Sequence, residues 1–422
     1  MLRVELKRML KTRSTWGLFV IAFTLSLFFA FYAVRHEAYY QYENGQTEII
    51  RGSKAYELKQ DRYDMVSGKI TPELMADAMK IYHEIIEKYG DDYSVPAEIS
   101  DKVLGPYSPV YTWIMQAFTD KNGIHYSIAE LSPEQMKNFN EERIMTLQRL
   151  LEEKYNKVPQ VKEYAMTHVD MDRETFDYNY GIGSTHTFDN LGILTFIITL
   201  ICIVIAAPVF SADYASGADD ILRCTRDGKR RLAITKLCSA FIIGLGVFII
   251  CIGTFLTVIY VVFGFNDKTS AELLNVMYNP DSLTAIGILG MIIISSFLSF
   301  MAMYSFTLFL SSQFKNSILV LALSIAIAIL PTIIRMFGAG GSFGIDGVGS
   351  AEGNMINWIR FCLPSGGLTM VGSMLDELVS LHFLWLGDWV IWSSYILLIA
   401  ATIQIPIWLG LSVHFYRKHE AN

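Results

Sequence analysis

The sequence has few groups of side chains that could carry out chemistry, and the one that comes closest to a known motif is incomplete. Residues 83–87, HEIIE, follow the helical zinc-binding pattern H-E-x-x-H, except that Glu87 replaces the second histidine. Two histidines one turn apart are needed to hold the metal, so we interpret these residues as a solvated helix face. The carboxylate pairs at 91–92 and 141–142 are interpreted as surface charge. We therefore expect no metal site, no bound cofactor and no catalytic activity on this chain.

A nucleotide-binding loop is also missing from the sequence. The tripeptides at 68–70, GKI, and 228–230, GKR, lack the earlier glycine and the hydroxyl residue of the G-x-x-x-x-G-K-[ST] pattern. That pattern supplies the backbone amides and the lysine that hold phosphates. If the protein acts with ATP hydrolysis, we therefore expect a separate polypeptide to bind and hydrolyse the ATP.

The most informative charged stretch is 211–236, SADYASGADDILRCTRDGKRRLAITK, which lies between two long apolar runs. Lys and Arg collect in the cytoplasmic loops of membrane proteins, so we place this stretch in the cytoplasm. Its ordered mixture of acids, glycine and bases suggests docking to another protein. A simpler alternative is an ordinary basic turn. The candidate docking residues are Asp213, Tyr214, Gly217, Asp220, Arg223, Arg226, Arg230 and Arg231.

Long apolar runs dominate the rest of the chain, which has 422 residues and is 52% hydrophobic. A helix needs about 20 apolar residues to cross about 30 Å of hydrocarbon, and only internally hydrogen-bonded segments are stable there. Six runs meet that requirement, so we predict an all-α membrane protein with six transmembrane helices. The runs are 15–34, 190–210, 233–265, 283–311, 316–337 and 389–416.

The short basic flanks of these runs indicate their orientation. Lys and Arg occur before the first run, in 211–236, at Lys315 and in the final residues Arg417 and Lys418. All four places fall on one side if both termini are cytoplasmic. The acidic segment 35–189 does not contest this, because long translocated domains are largely exempt from the rule. We expect a multi-pass membrane protein with no nucleic-acid partner.

Residues before the first run form an amphipathic pattern. Leu2, Leu6, Met9 and Leu10 recur at helical spacing, with basic residues between them. This pattern predicts a helix lying in the inner membrane interface; a plain basic anchor for the first span is the alternative. The basic residues concerned are Arg3, Lys7, Arg8 and Lys11.

The chain thus divides into 1–34, with the interfacial helix and first span, 35–189, and 190–422, with the other five spans. Segment 35–189 is predicted to be a mostly helical extracellular domain, since Thr71-Pro72-Glu73 and Ser132-Pro133-Glu134-Gln135 have helix-start patterns. Segment 338–388 is Gly-rich at first, then apolar but interrupted near Pro364. We predict that it is a re-entrant or interfacial hairpin before the last span.

Few ionisable groups lie inside the spans, and three polar residues could line a translocation route: Ser295, Ser299 and Arg335. Small and hydroxylated residues at helical intervals more commonly indicate close helix packing. Arg335 lies near the outer end of the fifth run, where its long side chain could reach the interface. Both interpretations stay open at this point.

The order of residues within 211–236 resembles a known family. The family has an acid, an aromatic residue, a Gly-Thr pair, a leucine pair, an arginine and a lysine in this order. The matching residues here are Asp213, Tyr214, Gly217 with Ala218, Ile221 with Leu222, Arg230 or Arg231, and Lys236. This order is similar to that of the permease subunits of type-2 ABC exporters, between helices two and three. The departures are Asp213 for the usual Glu and Ala218 for the usual Thr.

The resemblance implies a permease of the bacterial plasma membrane that works with a separate cytoplasmic ABC ATPase and a second permease subunit, identical or different. ATP and magnesium would be bound by the ATPase, and the cargo could be a peptide, a drug-like molecule or an amphipathic molecule. The alternative from another functional class is a non-transporting membrane protein that binds a ligand outside and signals through its cytoplasmic loop.

Overall fold

The structure, a computed structural model, describes residues 1–43, 46–91, 93–118, 124–171, 173–218, 229–265, 267–274, 276–337, 348–349, 351–368 and 378–418. The chain is mostly helical, and six helices are long and apolar enough to cross a membrane. The prediction of six such helices is confirmed. They are Arg13–His36, Thr187–Ser216, Arg230–Phe263, Ala285–Gln313, Ser317–Phe337 and Ser393–Lys418.

Fourteen helices of eight or more residues are seen in the described part of the chain, together with shorter helical turns. They are α1 (Leu2–Leu10), α2 (Arg13–His36), α3 (Ser53–Tyr63), α4 (Pro72–Tyr89), α5 (Ser108–Ala117), α6 (Phe139–Lys154), α7 (Pro159–His168), α8 (Thr187–Ala206), α9 (Pro208–Ser216), α10 (Arg230–Phe263), α11 (Ala285–Gln313), α12 (Ser317–Phe337), α13 (Asn354–Phe361) and α14 (Ser393–Lys418).

Three antiparallel strand pairs correct the all-α prediction to a mostly helical chain. The last pair also corrects the start of the sixth run, because residues 389–392 form a strand and α14 begins at Ser393. The pairs are β1 (Ala38–Glu43) with β2 (Gln46–Arg51), β3 (Gly68–Ile70) with β4 (Phe176–Tyr178), and β5 (Phe383–Leu386) with β6 (Trp389–Trp392).

Helix starts in the segment 35–189 follow local chemistry. The Thr71 hydroxyl accepts a hydrogen bond from the Leu74 backbone N–H at 3.3 Å, and Pro72 occupies the first helical position of α4. At Ser132 the backbone N–H donates to the Gln135 side chain at 2.6 Å. A 3₁₀ turn, Pro133–Asn138, begins there and leads into α6. Capping of this kind satisfies amides that a helix leaves unpaired.

Helix α8 lies at the centre of the long helices. It packs against α2, α10 and α11, while α14 packs mainly against α11. The most apolar stretch of the span Thr187–Ser216 is 72% buried, whereas the most apolar stretches of α2 and α14 are each 22% buried. The outer helices of the bundle therefore present most of their apolar surface away from the chain, which suits contact with lipid or another subunit.

The core of segment 35–189 includes residues from much later in the chain. Trp113 packs between Phe139 and Phe176, with ring centroids 4.4 and 4.5 Å away. Tyr278, Phe383 and other residues that follow the second span belong to the same buried cluster. The Tyr278 hydroxyl donates to the Arg143 carbonyl at 2.9 Å. The segment and the later loops thus share one hydrophobic core.

Residues 363–368, which follow α13, form a turn that packs between α11 and α12. The Ser365 hydroxyl donates to the Ile327 carbonyl at 2.6 Å. A Cβ on Gly367 would lie 2.4 Å from Ser299 Oγ and 2.8 Å from Ser295 Oγ, so glycine allows this close approach. Residues 338–347, 350 and 369–377 of the predicted re-entrant segment lie outside the described residues. Its placement in the membrane stays a prediction.

Candidate functional site

The site begins at a break between α8 and α9. Pro208 has no N–H and interrupts the helical hydrogen bonding there. The Ser311 hydroxyl of α11 fills the gap: it accepts from the N–H groups of Phe210 at 3.0 Å and Ser211 at 3.2 Å. The same hydroxyl donates to the Ala207 carbonyl at 2.7 Å. A side chain of a neighbouring helix therefore holds the two helices together across the break.

Four charged side chains next to this break form what we term the charge cluster: Glu5, Arg8, Asp213 and Lys236. Arg8 Nη1 of α1 lies 2.7 Å from Asp213 Oδ1 of α9, and Arg8 Nη2 lies 2.9 Å from Glu5 Oε2. Lys236 Nζ of α10 pairs with the other oxygen of Asp213. Lys236 is 1% exposed and Asp213 7%, whereas the Arg8 side chain is 42% exposed. The cluster joins three helices and has equal numbers of formal positive and negative charges.

Further contacts from α9 hold the buried lysine in place. Lys236 Nζ lies 5.4 Å from the centroid of the Phe210 ring and donates to the Val209 carbonyl at 3.4 Å. A buried ammonium is stable only when it is paired and hydrogen-bonded. Three residues of α9, Val209, Phe210 and Asp213, thus contact Lys236 and attach α10 to α9.

Tyr214 and Gly217 complete the end of α9. The Tyr214 hydroxyl donates to the Ser312 carbonyl of α11 at 3.2 Å, and its ring stacks on Tyr416 of α14 at 6.2 Å between centroids. Gly217 caps the helix at φ +69°, a left-handed conformation that glycine adopts without strain. Helix α9 is thereby attached to α11 and α14 as well as to α1 and α10.

The predicted docking residues divide into three groups. Asp213 and Tyr214 are buried within the chain. They could therefore affect docking only through the residues that pack on them. Arg230 and Arg231 are exposed in the first turn of α10, and Gly217 ends α9. Asp220, Arg223 and Arg226 lie outside the described residues. Helix also enters the predicted loop from both ends, because α9 runs to Ser216 and α10 starts at Arg230.

The predicted interfacial residues also divide. Arg3, Lys7 and Lys11 are exposed, whereas Arg8 turns toward Asp213. The apolar residues Leu6, Met9 and Leu10 of α1 pack on the chain's own core. Helix α1 packs on α10. The sequence did not predict that α1 packs on α10, or that Ser311 bridges α8 and α9. Both are contacts between residues far apart in the chain, and no short-range spacing indicates them.

The three residues considered for a translocation route are placed differently from one another. Ser295 and Ser299 of α11 are 1% and 2% exposed and lie against Gly367. Arg335 is partly exposed in the last turn of α12. A route along the two serines would require the 363–368 turn to move.

The charge cluster links three helices by ion pairs and offers no groups for catalysis. The pairing neutralises its charges, and no nucleophile with an adjacent base is part of it. Within the described part of the chain, no three His, Cys, Asp or Glu side chains are arranged to hold a metal ion. The geometry is suited to transmitting motion between α1, α9 and α10.

Comparison with known proteins gives one match. The family model described as ABC-2 family transporter protein matches residues 1–343, which include α1, α9 and α10. No curated protein and no solved structure matches the chain.

Proposed function

Because this chain belongs to the ABC-2 transporter family, we propose that it is the membrane-spanning permease subunit of an ATP-driven exporter. It crosses the bacterial plasma membrane six times, with both termini in the cytoplasm. Residues 35–189 form an extracellular domain, α1 lies in the inner interface, and 338–388 re-enters the bilayer before α14. The basic flanks of the spans support this orientation.

The charge cluster is the observation that carries the proposal. A cytoplasmic ABC ATPase docks beneath α9 and α10, on a surface that includes the exposed Arg230 and Arg231. Movement of the ATPase displaces α9, and the pairing of Asp213 with Arg8 and Lys236 makes α1 and α10 follow. ATP and magnesium are bound by the ATPase, and this chain supplies the moving helices.

Two permease subunits, identical or different, enclose the cargo between them in this proposal. The sparsely covered faces of α2 and α14 are suited to contact with lipid or the second subunit. The route includes the α11 face of Ser295 and Ser299 and the outer end of α12 near Arg335. The cargo is a peptide, a drug-like molecule or another amphipathic molecule.

The test is a charge reversal on the exposed docking surface. The tagged chain is purified from its native membrane with its associated proteins, which are identified by mass spectrometry, and ATP hydrolysis is measured in nanodiscs. Arg230→Glu with Arg231→Glu should release a polypeptide that carries the phosphate-loop pattern and should lower ATP hydrolysis. Lys137→Glu with Lys157→Glu, an equal charge change at two exposed positions in the predicted extracellular segment, should do neither.

Two results would count against the proposal. Either no nucleotide-hydrolysing protein accompanies the wild-type chain, or the reversal at Arg230 and Arg231 leaves its association and ATP hydrolysis unchanged. The first result would favour the alternative, a membrane protein that binds a ligand without transporting it.

A further inference from the structure

Helix α1 uses much of its apolar face within the chain. Leu6, Met9 and Leu10 pack on the core of the long helices, and α1 lies against α10. Glu5 is 8% exposed and pairs with Arg8. An interfacial helix normally enters the membrane with its apolar residues. Because protein already covers these three, the contact of α1 with its surroundings depends on the opposite face.

That opposite face carries a row of positive charges, which we term the basic stripe: Arg3, Lys7 and Lys11. The three residues follow one another at intervals of four, so they lie in line along the helix. All three are exposed. None of them makes an ion pair or a side-chain hydrogen bond with any residue that the structure describes. Like charges at this spacing repel each other, so an anionic partner would stabilise the stripe.

The residues around the basic stripe are typical of a membrane boundary. Only Thr12 separates Lys11 from α2, the first span. Trp16 of α2 is 56% exposed, and its indole N–H donates to the Leu10 carbonyl at 2.7 Å. Tryptophan is enriched where lipid headgroups meet acyl chains. Val4, next to Arg3 in the chain, is 69% exposed, and an apolar side chain among cations suits the headgroup region better than open water.

We propose that the basic stripe binds the headgroups of anionic phospholipids. The phosphate oxygens of such a lipid accept hydrogen bonds from the guanidinium of Arg3 and from the ammonium groups of Lys7 and Lys11. That the lipid belongs to the inner leaflet rests on the proposed function, which places the N-terminus in the cytoplasm. Binding itself requires neither the ATPase nor transport.

The test measures lipid binding to the full chain alone, purified in a non-ionic detergent. Native mass spectrometry gives the Kd of the first bound phosphatidylglycerol and of the first bound phosphatidylcholine, with the same acyl chains. A basic residue near an anionic lipid surface contributes about fivefold in affinity. We therefore expect the wild type to bind phosphatidylglycerol about tenfold to a hundredfold more tightly than phosphatidylcholine.

Substitutions then locate the site. Arg3→Gln with Lys7→Gln and Lys11→Gln should weaken binding of phosphatidylglycerol by about tenfold or more and leave binding of phosphatidylcholine unchanged. Arg3→Lys with Lys7→Arg and Lys11→Arg keeps the charge and should bind as the wild type does. The matched control neutralises three exposed lysines of the segment 35–189 and should also leave binding unchanged: Lys69→Gln, Lys137→Gln and Lys157→Gln. Thermal unfolding confirms that each variant is folded.

Glycerol phosphate separates a lipid site from a site for soluble phosphate. It carries the phosphate without acyl chains, and at the concentration of the lipid it should not displace phosphatidylglycerol. Displacement would overturn the inference, as would a folded glutamine variant of the stripe that binds phosphatidylglycerol as the wild type does. A third contrary result is a stripe variant that keeps its lipid but loses a protein that copurifies with the wild type, because the stripe would then dock a protein. No ATPase takes part in the lipid titrations, so their outcome does not depend on whether this chain works with one.

Discussion

The charge cluster leads to a quantitative prediction about Asp213 and Lys236. Asp213→Ala removes the carboxylate that pairs with Lys236, a residue that is 1% exposed. Removing one partner of a buried ion pair leaves an uncompensated charge and costs about 3–5 kcal/mol. We expect the free energy of unfolding to fall by that amount. The same substitution combined with Lys236→Met should recover most of the loss, because the buried charge left without a partner is then removed; Glu5 keeps its pair with Arg8.

Arg8 provides the internal comparison. It also pairs with Asp213, but its side chain is 42% exposed, and exposed ion pairs contribute only about 0.2–1 kcal/mol. Arg8→Ala should therefore destabilise the chain far less than Asp213→Ala. The wild type and the three variants are unfolded in mixed micelles with increasing denaturing detergent, and the midpoints are compared. The reasoning fails if the Asp213→Ala, Lys236→Met double variant is as unstable as the Asp213→Ala single variant.

Two further predictions concern packing and pH. Gly244→Ala should lower the unfolding midpoint, because its Cβ would lie 2.9 Å from the buried Tyr304 ring, and overpacking costs about 1–3 kcal/mol; Gly246→Ala, with no atom within 4 Å, should not lower it. Burial, helped by the charge of Arg360, lowers the pKa of His382 from 6.5 to about 3. Below pH 6.5 His382 takes up a proton in the unfolded chain but not in the folded chain. The free energy of unfolding should therefore decrease as the pH is lowered from 6.5, by at most about 1.4 kcal/mol per pH unit. His382→Gln should remove that part of the pH dependence in detergent unfolding curves, and an unchanged slope would contradict it.

The sequence predicted the features that depend on composition and local order. Hydropathy alone located the six long helices, because a span must be apolar over its whole length. The helix start at Thr71 was predicted from its own neighbours, because a cap is a contact within one turn. The strand at 389–392 was missed for a related reason. Its four apolar residues continue into α14, and hydropathy cannot separate a short apolar strand from an apolar helix.

The parts that could not be predicted are contacts between distant segments. Arg8 and Asp213 are each typical of a charged cytoplasmic flank, and no spacing relates them. Ser311 is one of several hydroxyls in α11, and only the fold shows that it bridges the break at Pro208.

The shared core of segment 35–189 has a consequence for biogenesis. Phe383 and Trp392 belong to the same buried cluster as Trp113, yet they leave the ribosome only after five spans have been made. Chains emerge and fold from the N-terminus onward, so the segment keeps apolar surface uncovered until residues 383–392 have been made. A nascent chain arrested before residue 383 should then be a preferred target for proteases and chaperones, because the hairpin of β5 and β6 has not yet covered this apolar surface.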